Sequence, residues 1–334
     1  MDKQYIDQLW ELFRKRRIGV YRFSEIPAEF LRKERTNTNY PTLHFSKGPI
    51  KVYQSHSGRS AWVYAPWKDG NSWYLGFEYK GIGENGRRVR RFARTAWGGV
   101  YRKRALAEHR FSKIAFDNGV FCQKPIAVYD YGKLYGKDLA VVIRTFTSPL
   151  RLSDFHFEPR FFKKYLEVRG ETEREYCHSI SSILGRNVRK LFDLGIYHGS
   201  MEINNITTEG ELADFEPTNG GSWEGLRRTE NPDFRYLALR RVLDAGETTF
   251  PKYTDEFNEN FARAFFSRKV ELSKDNPAKD IAERYCGVEI KLRESKKEDR
   301  GLNKLIKMFE KSLRKAKGRK ERRLLNWILE DLKS

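Results

Sequence analysis

The stretch GIYHGSMEINNITTEGELADFE, residues 195–216, decides how the rest of this chain is read. A His198-Gly199 turn is followed by five intervening residues and Asn205, and then by a short β-prone bracket that closes on Asp214-Phe215. An amide oxygen and a carboxylate at this separation are hard donors of the kind that hold Mg²⁺ while waters and phosphate oxygens complete its shell. Asn205 and Asp214 are therefore the candidate metal ligands. Two residues after His198 stands Ser200, where phosphoryl transfer of the protein-kinase type needs an aspartate base. The segment reads as built to hold a metal–nucleotide but not to run ordinary kinase chemistry.

Upstream, residues 51–54 (KVYQ), 61–65 (AWVYA) and 73–80 (WYLGFEYK) are short β-prone runs. They are divided by turn residues such as Lys68-Asp69-Gly70-Asn71. A loop over 81–99 precedes a helix expected from about Val100 to Asn118, with Ala107, Phe111, Ile114 and Ala115 on its buried face and Asn118-Gly119 at its end. Residues 124–131 and 138–146 predict two more strands joined by a glycine-containing hairpin. At the amino terminus a helix is expected over Tyr5 to Lys15, then a polar connector. Beyond residue 150 the pattern is mainly helical. Residues 186–197 carry Val188, Leu191, Phe192 and Ile196 on one side, and 232–245 open on Pro232. The tail repeats Leu302, Leu305, Phe309 and Leu313 at helical spacing. The expected fold is α+β and two-lobed: 1–40 a helix and connector, 41–150 a sheet lobe, 151–250 a helical lobe with the metal site, 251–334 a helical extension.

The 334 residues carry 65 Lys and Arg against 45 Asp and Glu, a net charge of +20. Such a surface attracts polyanions without choosing among them, so nucleic acid is a possible partner that charge alone does not favour. No apolar run reaches the roughly 18 residues that cross a membrane, and the first residues lack a secretory signal pattern. A cytoplasmic address is the expectation. Three cysteines, Cys122, Cys177 and Cys286, form neither a metal clip nor a disulfide framework, and the six histidines have no zinc-ligand spacing.

Four segments occur in order: WYLGFEYKGIG (73–83), the helix bearing Glu108, VVIRTFTSPLRLSDF (141–155), and HGSMEINN with ADF. Together, over roughly residues 50–245, they resemble the selenoprotein O (SelO) family of protein adenylyltransferases, which have a kinase-like fold and transfer AMP. The resemblance implies ATP and Mg²⁺ as cofactors and a protein hydroxyl of Ser, Thr or Tyr as acceptor, with the protein's identity unspecified. It implies that Lys80, paired with Glu108, steadies phosphates. It implies that Arg144 and Arg151, seven apart with Phe155 four further on, hold the terminal phosphate of an ATP bound in reverse. Guanidinium groups suit that task because they clasp phosphate oxygens with parallel donors. Gly81, Gly83 and Gly86 have a loose GxGxxG spacing that lets backbone N–H groups approach phosphates, although the dinucleotide-fold context is missing. Arg87, Arg88, Arg90, Arg91 and Arg94 follow as an anion-attracting loop.

The chain departs from the family where the family places its proposed base. The residue before the metal-binding Asn is Asn204, an amide that accepts no proton at neutral pH. Glu202 and Glu216 are the nearby carboxylates that could substitute. The carboxy-terminal Cys or selenocysteine of the family is not expected here, because the sequence closes on Leu332-Lys333-Ser334. Three functions remain open at this point: a protein adenylyltransferase, an inactive nucleotide- or nucleic-acid-binding protein, and a kinase for a protein or small molecule.

Overall fold

A computed structural model describes residues 3–14, 20–22, 51–54, 60–81, 100–134, 137–215 and 232–286, with isolated positions 307, 310, 311, 313, 314, 322 and 326. By internal contacts, Met1–Gly287 form one compact unit and Val288–Ser334 a second. The first unit is α+β. Its sheet is antiparallel, and the remainder is mostly helical.

The sheet grows from the hairpin of β3 (Ser60–Asp69) and β4 (Ser72–Lys80). Asp69 pairs with Ser72, so Gly70-Asn71 form a two-residue loop, and Gly70 takes the positive φ of 56° that such a tight turn demands. Pro66 has no N–H to give to the ladder, and the register shifts between Tyr64 and Trp67, a bulge next to that proline. On one side of the hairpin lie β2 (Lys51–Gln54) and β1 (Val20–Arg22). β1 falls inside the stretch expected to be a plain connector, and it forms by pairing with β2 from Val20↔Tyr53 to Arg22↔Lys51. On the other side β4 pairs with β7 (Lys137–Phe146), which also pairs with β6 (Lys124–Leu134) and the two-residue β5 (Val100–Tyr101). Because β5 is captured by Ala140 and Leu139 of β7, the following helix α2 starts two residues later than periodicity suggested, at Arg102–Asp117. Its buried residues are Ala105, Glu108, Phe111, Ser112 and Ala115. Ala107 and Ile114 are only half-buried, because Glu108 occupies the inward position that hydropathy counting denies to a charge.

Helix α1 (Lys3–Arg14) buries Ile6, Leu9, Trp10 and Phe13, a stripe at helical spacing. Trp10 stacks on Tyr64 at 4.7 Å, and the Tyr64 hydroxyl donates to Asp7 at 2.7 Å. The helical part begins with α3 (Leu152–Phe157) and α4 (Pro159–Arg169), and centres on α5 (Glu173–Asp193). Thr172 and Glu175 cap α5 reciprocally. It buries Tyr176, Ile180, Leu184, Val188 and Leu191 at intervals of three and four, starting thirteen residues before the stretch that sequence pattern identified. α7 (Thr254–Phe266) lays Phe257, Phe261 and Phe265 against it; each fully buried ring contributes roughly 1.5–3 kcal/mol. Gly185 makes the approach possible, since a Cβ there would lie 2.4 Å from the Phe261 carbonyl oxygen. α6 (Pro232–Thr249) and α8 (Pro277–Cys286) complete the unit. In the second unit, positions 307, 310, 311, 313, 314, 322 and 326 are helical. Leu302, Leu305 and Phe309 lie outside the described residues. Among the described residues no helix is long and apolar enough to cross a membrane.

Within the segment quoted at the outset, residues 206–212 form a hairpin between the sheet and the helices. Ile206 bridges Leu212, and the turn closes through Gly210, whose φ is 82°. On one flank Leu212 is held by Phe121 and Gln123 (3.1 and 3.0 Å) just before β6. On the other, Thr208 N–H and Leu152 N–H bond to Leu150 and Ile206 (each 3.0 Å) just after β7. The hairpin thus sits against the chain just before β6 and just after β7.

Candidate functional site

Strand alternation puts Glu78 and Lys80 on one face of β4. The Lys80 ammonium donates to Glu108 of α2 at 2.9 Å and also bonds Asp214 of the hairpin. One cation therefore joins strand, helix and hairpin in a single buried cluster: the side chains of Lys80 and Glu108 are 3% and 0% exposed, while that of Asp214 is 21% exposed. A carboxylate and an ammonium so far from water persist only when paired and hydrogen-bonded.

Arg144 of β7 lies directly across from Glu78 in the ladder. It donates Nε and Nη2 to the two Glu78 oxygens at 2.8 and 3.0 Å, and Nη1 to Glu108 at 2.8 Å. Arg151, at the start of α3, brings Nη2 to 3.6 Å from Glu78 and lies over the Trp62 ring at 5.7 Å. Its Nη1 is buried without a hydrogen-bond partner. Burial raises the Glu78 carboxyl, but the guanidinium groups of Arg144 and Arg151 more than offset that and hold it down to about 2. Burial lowers Arg151, which Glu78 opposes. Gln123 Nε2 lies 3.4 Å from the same Glu78 oxygen.

The hairpin residues are fixed individually. His198 is buried, and its Nε2–H donates to the Ala213 carbonyl at 2.9 Å while its ring meets Phe215 edge-on at 4.6 Å. Burial pushes its pKa down to about 4, against the pull of that backbone bond, so the ring is neutral. The histidine thereby anchors the residue just before Asp214. Asp214 itself has φ 66°, the left-handed region that L-residues adopt at a cost of about 1–3 kcal/mol and that concentrates at functional sites. Asn205 Nδ2 donates to the Ser200 carbonyl and hydroxyl at 3.0 and 3.1 Å, and its backbone carbonyl accepts from Ala213 N–H at 2.9 Å. With its amino group tied back, the Asn205 side chain keeps its carbonyl oxygen for a cation.

Asn205 and Asp214 fit a magnesium ion by donor chemistry. Both offer hard oxygens, and the Asp214 carboxylate already takes the Lys80 ammonium as its cation. Among the described residues no group of three or more His, Cys, Asp and Glu is placed to hold a metal ion.

Of the expected site residues, Lys80, Glu108, Arg144, Arg151 and Asp214 come together in this cluster, and the backbone bond to Ala213 places Asn205 at its hairpin edge. Gly81 follows Lys80 with φ 99°, and a Cβ there would lie 2.8 Å from the Ala140 carbonyl oxygen. The sheet itself requires this glycine. Asn204 and Glu202 are exposed on the turn, and Glu202 faces Arg241 of α6 at 3.8 Å. Gly83, Gly86, the arginines from Arg87 to Arg94, and Glu216 lie outside the described residues. Cys122 and Cys177 are buried free thiols, and burial raises both.

Three buried residues of the cluster went unread in the sequence: Glu78, Gln123 and Glu211. Glu211 is fully buried, its oxygens accepting Thr147 N–H at 3.0 and 3.2 Å. Burial raises its carboxyl to about 7, against those bonds and Arg151. The signal for Glu78 was its two-residue offset from Lys80, which puts both on one strand face. The chain matches no protein-family model and no curated protein.

Proposed function

We propose that this chain is a two-lobed, kinase-like protein adenylyltransferase akin to the SelO family, which uses Mg²⁺ and ATP to join AMP to a protein hydroxyl. The observation that carries the reading is the cluster around Lys80, where Glu108 and Asp214 meet on one ammonium with Arg144 bonded to the same Glu108. These are the residues that the resemblance assigns to phosphate and metal, and they come from four separate segments.

In this reading the sheet is the nucleotide-binding lobe and the hairpin is the floor of the cleft. Lys80, held extended by Glu108, binds phosphate oxygens. Arg144 and Arg151 take the far end of the triphosphate, so that the α-phosphorus faces the acceptor. Asn205 and Asp214 hold Mg²⁺, which supplies charge neutralisation for the phosphates. His198 keeps Asp214 in its left-handed conformation. The acceptor oxygen forms a bond to the α-phosphorus, the bond from that phosphorus to the α–β bridging oxygen breaks, and pyrophosphate leaves. The hydroxyl proton passes to solvent, because Asn204 cannot take it. Transfer of this type relies chiefly on positioning and charge.

Asn204 favours one competing reading, a nucleotide-binding protein without turnover. Ser200 argues against an ordinary kinase, since its hydroxyl accepts from Asn205 and no carboxylate occupies that position. The test is incubation with ATP labelled at either end of the chain of phosphates. Label reaches protein from the α position and not the γ position under the adenylyltransferase reading. Transfer of the γ label alone identifies a kinase, and ATP binding with no transfer identifies the inactive form.

A further inference from the structure

Glu78 has no role in the reading above, yet it is the most heavily engaged carboxylate of the cluster. It is 2% exposed, both its oxygens are taken by Arg144, and one of them also lies 3.6 Å from Arg151. The two arginines that would grip a terminal phosphate are thus already neutralised from within the strand beside them. Charge makes the consequence definite. Lys80, Arg144 and Arg151 face Glu78, Glu108 and Asp214, so the cations have no surplus over the carboxylates in the ligand-free chain. Glu108 is needed to extend Lys80, and Asp214 to hold metal. Glu78 is the one of these three carboxylates whose charged partners are the two clamp arginines, with Ser60 and Gln123 as its neutral donors. Arg151 meanwhile keeps a buried N–H donor, Nη1, with no partner, so the clamp has capacity that Glu78 does not fill.

We propose that Glu78 is a specificity-determining residue, a built-in competitor that occupies the Arg144–Arg151 clamp and weakens its hold on polyphosphates, inorganic pyrophosphate above all. This rests on the part of the reading above that puts the triphosphate tail on Arg144 and Arg151. A polyphosphate tail enters by taking the guanidinium groups from Glu78, and the carboxylate takes them back as pyrophosphate departs. No bond is made or broken beyond hydrogen bonds and ion pairs. The anion that benefits from removing Glu78 is therefore one with at least two linked phosphates, and AMP, which lacks the tail, does not.

The experiment measures Mg²⁺–pyrophosphate and AMP binding by calorimetry for the parent chain, Glu78→Gln and Glu78→Asp, with thermal unfolding as the check on folding. Glu78→Gln removes the charge while keeping the shape, and pyrophosphate binding tightens by about tenfold or more as one unit of local repulsion is lost, with AMP affinity unchanged. Should Glu78→Gln fail to fold, Glu78→Asp carries the test, because the shorter side chain cannot span both guanidinium groups; a tightening of about threefold is then expected. Unchanged or weaker pyrophosphate binding in the folded variants, or equal tightening toward AMP, overturns the proposal. Because the readout is binding, tightening without any transfer of α label would sink the activity reading while leaving this one standing.

Discussion

Substituting Glu211 by Gln removes a pH dependence of stability that the parent chain carries. Glu211 is fully buried where the chain leaves β7, and burial lifts its carboxyl from 4.5 to about 7. A group raised on folding holds its proton in the folded chain after the unfolded chain has lost it. Its stabilising contribution is complete below pH 4.5 and disappears as pH climbs through 7. A rise of this size at 1.36 kcal/mol per unit amounts to about 3 kcal/mol over the whole range, most of it between pH 5 and pH 8. Glutamine keeps an acceptor for Thr147 N–H but never ionises. Relative to the parent, Glu211→Gln therefore gains about 2–3 kcal/mol of stability on going from pH 5 to pH 8. Urea unfolding followed by tryptophan fluorescence at both pH values gives this difference directly, and titrations common to both proteins cancel. A difference that stays constant within about 0.5 kcal/mol, or that runs the other way, would refute the assignment of Glu211 as a buried carboxyl protonated near neutrality.

The remaining expectations follow from the same contacts. Glu108→Gln removes the negative charge shared by Lys80 and Arg144 and turns one of its two acceptor oxygens into a donor, which costs about 3–5 kcal/mol, as when one partner of a buried pair is lost; Lys113→Gln, whose pair with Asp117 is exposed, changes unfolding by about 0.5 kcal/mol or less. His198 is depressed to about 4 from 6.5, so its contribution is present above pH 6.5 and lost as pH falls toward 4. His198→Phe abolishes that acid-side loss and leaves the Ala213 carbonyl unpaired, costing about 1–3 kcal/mol at pH 8 by chemical unfolding. Gly185→Ala drives a methyl into the Phe261 carbonyl and lowers stability by about 1–3 kcal/mol, read as a lower melting temperature with intact helical circular dichroism on refolding in the cold.

How much of this was legible depended on whether the signal was local. The β3–β4 hairpin was readable because Gly70-Asn71 sit between two β-prone runs, and the buried stripe Val188, Leu191, Phe192 was readable because helical spacing repeats, although the helix stops at Asp193, short of the expected 197, and Ile196 is buried beyond its end. Val100–Tyr101 were taken for helix because a two-residue strand exists only through its partners Ala140 and Leu139, which lie about forty residues away. β1 was invisible for the same reason. Within the cluster, Lys80, Glu108 and Asp214 were legible as an ordered set, since each stands at a recognisable place relative to a strand, helix or turn. Glu78 and Glu211 were not. Both are charged residues buried by contacts that sequence does not display, the first by its register opposite Arg144 and the second by Thr147 at the crossover. Their polarity argued for a surface position, and only the guanidinium and backbone donors around them reverse that.

The central claim is that Asn205, Asp214 and Lys80 enclose a magnesium-bound nucleotide, and Mg²⁺-dependent ATP binding by the parent chain and by Asp214→Asn tests it most directly. The account predicts that ATP binds the parent with an affinity that falls by about tenfold or more when Mg²⁺ is chelated. It also predicts that Asp214→Asn, folded by thermal unfolding, loses the magnesium dependence. ATP affinity that ignores magnesium in the parent, or a dependence that survives unchanged in the variant, contradicts it.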